Sequence, residues 1–175
     1  MKRMVIAAAA AAFLALTGAA QAAHTPPPVP ADIAVPAGNK AFLVGHAVGV
    51  QIYTCGATGW TGAPRANLYD DRGKLIVTHF AGPSWRAKDG STVVAAVETR
   101  VTVVPTAIPW LRLKATPTVP GKLGQTTYIQ RIATTGGLSP AAADCTPQTA
   151  GTVKEVPYTA DYVFWKAKHK GRDEG

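Results

Sequence analysis

Between Thr92 and Val104 apolar and polar residues alternate. Val93, Ala95, Val97, Val101 and Val103 fall on one side, with Glu98, Arg100 and Thr102 on the other. A period of two marks a half-buried strand of an antiparallel sheet. Upstream, Asn67–Glu98 holds short apolar runs separated by the turn signals Asp70-Asp71-Arg72-Gly73 and Lys88-Asp89-Gly90, which reads as consecutive antiparallel strands. Leu75, Val77 and His79 share a face there, and Gly82-Pro83 breaks the chain before Trp85.

The same reading predicts two short strands at about Ala41–Gly45 and Val48–Cys55, with Val50 and Ile52 on one face and Gln51 and Tyr53 on the other. Further strands are expected over Ile108–Ala115, Gln125–Thr135 and Tyr158–Trp165. In Gln125–Thr135, Tyr128, Gln130 and Ile132 share one face and Arg131 takes the opposite one. A single helical turn fits Pro140–Asp144, with Ser139 as its cap. About eight to ten short strands without a long helix predict an all-β, single-domain antiparallel β-sandwich or barrel.

The ends read differently. Lys2 and Arg3, an Ala-rich apolar run from Val5 to Leu16, and Ala20-Gln21-Ala22 make residues 1–22 a cleaved signal peptide. The apolar run is too short to span a bilayer, and no later stretch is long and apolar enough to do so. Residues 23–36 form a Pro-rich extended lead-in, 37–165 the all-β domain, and 166–175 a charged, flexible tail. The expected location is periplasmic or secreted. Cleavage after Ala23 would instead expose His24 as an amino-terminal copper chelator, but it would put Gln21 where the peptidase reads small residues.

Charge narrows the partners. The formal net charge of +8 falls to +6 without Lys2 and Arg3, and the four basic and two acidic residues of the tail carry a further +2 of that. The body's remaining charge lies over many strands and forms no basic stripe with interleaved aromatics, so a nucleic-acid partner is not expected. Two cysteines in an exported chain, Cys55 and Cys145, point to a disulfide. The chain-entropy model gives roughly 4–5 kcal/mol for closing so long a loop.

Few residues offer chemistry. Gly56, Gly59 and Gly62 lack the spacing and following helix of a dinucleotide fingerprint, so no nucleotide cofactor is expected. The four histidines form no metal-ligand spacing, and no cofactor or metal is predicted. His79 with Asp89 or Ser91 is the one arrangement that could serve a small hydrolase, although Ser91 sits in no nucleophile elbow. Trp60 and Trp85, beside Gly- and Pro-containing loops, are candidates for stacking on a sugar or filling a partner's pocket.

Five segments occur together and in order: Gly49-Val50-Gln51-Ile52-Tyr53-Thr54-Cys55; His79-x-x-Gly82-Pro83-x-Trp85; Asp89-Gly90-Ser91; Ile108-Pro109-Trp110-Leu111; and Tyr128-Ile129-Gln130-Arg131-x-x-Thr134-x-Gly136-Gly137-x-x-Pro140 before Cys145. They resemble the domain-of-unknown-function family numbered 3455 over about Val35 to Trp165. The resemblance implies an exported bacterial or fungal protein of no established activity, and it strengthens the Cys55–Cys145 pairing. Some fungal relatives carry a malate dehydrogenase label, which the missing nucleotide fingerprint does not support here. The reading that follows is a non-catalytic exported binding or envelope-associated module. Its candidate surface comprises Trp60, His79, Trp85, Asp89, Gln130 and Arg131, and its candidate partners are an envelope glycan or another exported protein.

Overall fold

Eight antiparallel strands, each bonded to the next in sequence, close into a barrel when the last pairs with the first. This is the fold of the computed structural model, which describes residues 27–168. The expected leader, its cleavage site, His24 and the end of the tail lie outside the described residues. The strands are β1 (Asn39–Gly56), β2 (Gly59–Tyr69), β3 (Leu75–Phe80), β4 (Ser84–Ala87), β5 (Thr92–Val101), β6 (Trp110–Val119), β7 (Thr126–Gly136) and β8 (Val153–Ala167). Among the described residues no helix is long and apolar enough to cross a membrane.

Several expected boundaries change. The two strands anticipated before Cys55 are one 18-residue strand, because His46 and Ala47, where the break was expected, pair without interruption with Tyr69 and Leu68 of β2 and with Asp161 and Ala160 of β8. β8 is also longer than expected and runs through Ala167 into the predicted tail. The anticipated turn before Cys145 is the 3-10 segment Ala142–Asp144, and no side chain caps it. Val101 does not share a face with Val93. A register shift between Val97 and Thr99 adds a residue and turns Val101 outward.

Small and large residues alternate around the interior. Ala47, Ala66, Ala87, Ala95, Ala115 and Ala160 leave room for Trp85, Tyr162, Phe164, Leu113 and Ile129, as expected for a barrel whose lumen is filled by side chains. Gly49 serves the close approach of β1 to β2: a Cβ there would lie 2.2 Å from the Arg65 carbonyl oxygen. One barrel end, where β4 turns into β5, is plugged by fully buried Leu123.

The lead-in packs on the outside. A 3-10 turn at Ala31–Ile33 sets Ile33 against Ile132 and Val163, with Val29, Val101, Trp110 and Trp165 around them. Gln130 holds it there: its Nε2 donates to the Ile33 carbonyl at 2.7 Å, and its Oε1 accepts from Trp165 Nε1 at 2.9 Å. Thr99 Oγ1 and an Arg112 guanidinium nitrogen donate to the carbonyls of Asp32 and Ala34. The disulfide is formed between Cys55 and Cys145, with Cα atoms 5.4 Å apart, and it ties the long β7–β8 connection to the end of β1.

Candidate functional site

The barrel end opposite Leu123 is not filled. A cavity of about 170 Å³ lies there, and every strand contributes to its wall. Gln51 comes from β1, Gly62 and Pro64 from β2, His79 from β3, Trp85 from β4 and Val97 from β5. Leu111 and Leu113, Arg131 and Tyr162 complete it from β6, β7 and β8. Exposed Gly62 and Val97 stand at its rim. Gly62 must stay small, because a Cβ would meet the Tyr53 ring at 2.7 Å.

His79 and Trp85 face each other across the β3–β4 ladder, with parallel rings 4.2 Å apart and Tyr162 set edge-on to both. His79 Nδ1 lies 2.9 Å from the Ser84 carbonyl oxygen. That oxygen can only accept, so Nδ1 carries the proton. Burial, opposed by this bond and aided by the Arg131 charge, lowers the His79 pKa to about 4, and the ring is neutral at pH 7. Burial likewise pushes the Tyr158 and Tyr162 phenols up, with Arg131 pulling in the other direction.

Arg131 enters the wall from the inward face of β7. Its Nε and Nη2 donate to the Pro109 carbonyl at 3.1 and 2.8 Å. Among the described residues it forms no ion pair within 4.0 Å. Three buried side-chain nitrogens have no hydrogen-bond partner among the described residues, and two of them, Gln51 Nε2 and Trp85 Nε1, are on residues that line the cavity. The third, Trp110 Nε1, lies in the outer cluster beneath the lead-in. Native structures leave few such donors unpaired, so two at one cavity are notable.

The residues singled out from the sequence are therefore divided. His79, Trp85 and Arg131 meet at the cavity. Gln130, on the other face of β7, fastens the lead-in instead. Trp60 is half-buried, and its Nε1 donates to the Ala141 carbonyl at 3.0 Å, pinning the β7–β8 connection. Trp85 has no exposed surface, so it cannot present a stacking face to a sugar at the protein surface.

Asp89 follows the far end of β4 from Trp85, on the order of 10 Å along the strand. It accepts from the Ser91 hydroxyl at 2.6 Å and from the Lys122 amide at 2.7 Å, and Ser91 Oγ accepts from the Leu123 amide. The Ser91 hydroxyl, then the Lys122 and Ser91 amides, depress the Asp89 pKa to about 2. This network joins two turns at the plugged end. His79 borders the hollow end, whereas Asp89 and Ser91 are committed to each other and to the Lys122 and Leu123 amides at the plugged end, so the geometry gives no support to a His79–Asp89 or His79–Ser91 catalytic pair.

Sequence reasoning overlooked Gln51 and Tyr162 in this wall. Gln51 alternates in phase with Ala47 and Tyr53, and Tyr162 with Tyr158, Ala160 and Phe164. A polar group in an otherwise inward-facing register was the signal available.

Fold and site together define a closed eight-stranded antiparallel barrel, stapled by one disulfide and hollow at one end. The chain belongs to the family described as Protein of unknown function (DUF3455), whose model matches residues 36–166. No curated protein and no solved structure matches the chain.

Proposed function

We propose that this protein is an exported, non-catalytic binding module, and that the hollow barrel end is its ligand site. Small-molecule sites are concave, mostly apolar and furnished with a few convergent polar groups, and the mouths of β-barrels are a common place for them. One observation carries the reading: two buried donors without a partner, Gln51 Nε2 and Trp85 Nε1, belong to residues that line one mostly apolar cavity. A ligand that accepts from them would remove a cost of about 1–3 kcal/mol for each unsatisfied group. Export is supported by the leader-like start and by a disulfide, which persists in oxidising compartments.

A thermal-shift screen of small organic molecules tests the site when run beside Val97→Trp. That substitution puts a larger side chain at the exposed rim, where overpacking of the core is avoided. Compounds that raise the melting temperature of the native protein by several degrees, and have no effect on Val97→Trp, are the expected result. A screen with no stabilising compound, or one in which Val97→Trp responds equally, contradicts the reading.

A further inference from the structure

We propose, building on the reading of the hollow barrel end as a ligand site, that its ligand is a compact organic monocarboxylate. The carboxylate would sit against Arg131, Gln51 and Trp85, with a small apolar body against Leu111, Leu113 and Val97.

The buried side-chain atoms of the wall left without a partner are both donors, while His79 Nε2 and Gln51 Oε1 are its acceptors. Gln51 Nε2 and Trp85 Nε1 have N–H groups and no acceptor. Arg131 gives Nε and Nη2 to the carbonyl of Pro109, and its guanidinium also lies within hydrogen-bonding range of the Tyr162 phenol. A guanidinium has five N–H groups in a planar fork, so part of that fork remains to be used. The complement to a fork and two separate N–H donors is a planar group with several acceptor sites and no proton of its own. A carboxylate has two oxygens with about four such sites, and it meets guanidinium in a matching plane.

Charge points the same way. Arg131 is half-buried and carries a guanidinium cation. Among the described residues it has no carboxylate within 4.0 Å to offset its desolvation. The other titratable groups of the wall, His79 and Tyr162, are uncharged at pH 7. The cavity thus carries one positive charge among Leu111, Leu113 and Val97, which favours a monoanion over a dianion. Size sets the rest of the molecule. A cavity near 150 Å³ holds about one benzene ring, and this one measures about 170 Å³.

Benzoate and its neutral analogue benzamide are the probes, titrated into the disulfide-bonded chain at pH 7 by calorimetry. A hydrogen bond to a charged group contributes about tenfold or more, so benzoate should bind at least about tenfold tighter than benzamide. Arg131→Met should remove that preference. Because Arg131 also holds Pro109, Gln51→Leu provides a second test. It deletes an unpaired donor at similar volume, so it should melt no lower than the native protein yet weaken benzoate about tenfold. Benzamide binding as tightly as benzoate overturns the carboxylate assignment and leaves the cavity as the site. Benzoate binding undiminished in Val97→Trp overturns the cavity as the site. Full benzoate affinity in Gln51→Leu, or no benzoate binding at all, overturns the proposal.

Discussion

Two histidines show how differently one residue type is used in this barrel. His79 is buried, neutral and stacked on Trp85. His46 sits on the outer surface between Asp71 and Asp161, with ring nitrogens 2.8 and 2.7 Å from their carboxylates, and these bonds raise its pKa above 6.5. Their effects on stability have opposite signs. For His79 the folded pKa lies below the unfolded value, so its contribution is complete above about pH 6.5 and disappears as pH falls toward 4. The loss is on the order of 3 kcal/mol. For His46 the folded pKa is raised, so its contribution is complete below about pH 6.5 and is lost as pH rises through the folded value. Solvent screening of this 44 % exposed side chain keeps that effect small. Urea unfolding across the pH range should therefore give a maximum near pH 6.5 with the steeper limb on the acid side. His79→Gln should flatten the acid limb between pH 6.5 and 4 and leave the alkaline limb, while His46→Gln should do the reverse. An acid limb unchanged in His79→Gln would contradict the burial assigned to this ring. The importance of His79 was legible in the sequence from its place beside Gly82-Pro83 and Trp85. Its neutrality was not, because burial on every side comes from β2, β4 and β8, which are remote or unordered until the barrel closes.

At the scale of elements, alternation located the strands, and the bulges decided which way their residues point. Val93 and Ala95 face the lumen as their period of two requires, but the extra residue near Glu98 carries Val101 to the outer cluster. A second irregularity lies between Ile132 and Thr135, where Ala133 takes a positive φ of 50°. Nothing in an alanine announces that conformation, which costs a residue with a side chain energy that its surroundings must offset. Between these bulges, strict alternation on β7 was legible and informative: Gln130 and Arg131 had to diverge. One now holds the lead-in and the other lines the cavity. The lead-in was readable as extended from its prolines, whereas its anchor, Ile33, was hidden among Ala31, Ala34 and Val35, which show no strand or helix period. Ile33 is fully buried. Ile33→Ala should lower stability by about 2–5 kcal/mol, measured by urea denaturation. It should leave benzoate affinity within about twofold, since sites without shared partners behave additively. A variant as stable as the native chain would show that the lead-in is not docked.

The whole molecule is a barrel whose two ends have been treated unequally. At one, Leu123 and the Asp89–Ser91–Lys122 network close the lumen. At the other, the disulfide and the Trp60–Ala141 bond fasten the long β7–β8 connection to the barrel's edge, while the lumen itself stays open. The disulfide was legible because cysteine number and expected export leave few alternatives. The choice of a barrel over a sandwich was not, since closure depends on β1 meeting β8 across the full length of the chain, a pairing that local patterning does not encode. The cavity was only partly legible for the same reason: its wall takes residues from all eight strands.

On the proposed reading, ligand enters this end and pairs with the unpartnered donors there. The indole N–H groups report on it directly. Trp60 and Trp165 donate to oxygen partners, whereas Trp85 Nε1 and Trp110 Nε1 do not, and of these two only Trp85 borders the cavity. In a nitrogen-15 NMR titration with benzoate, the Trp85 indole resonance should move downfield to saturation while that of Trp110 stays in place. A Trp85 resonance that does not respond, while Trp60 or Trp110 shifts instead, would contradict the account.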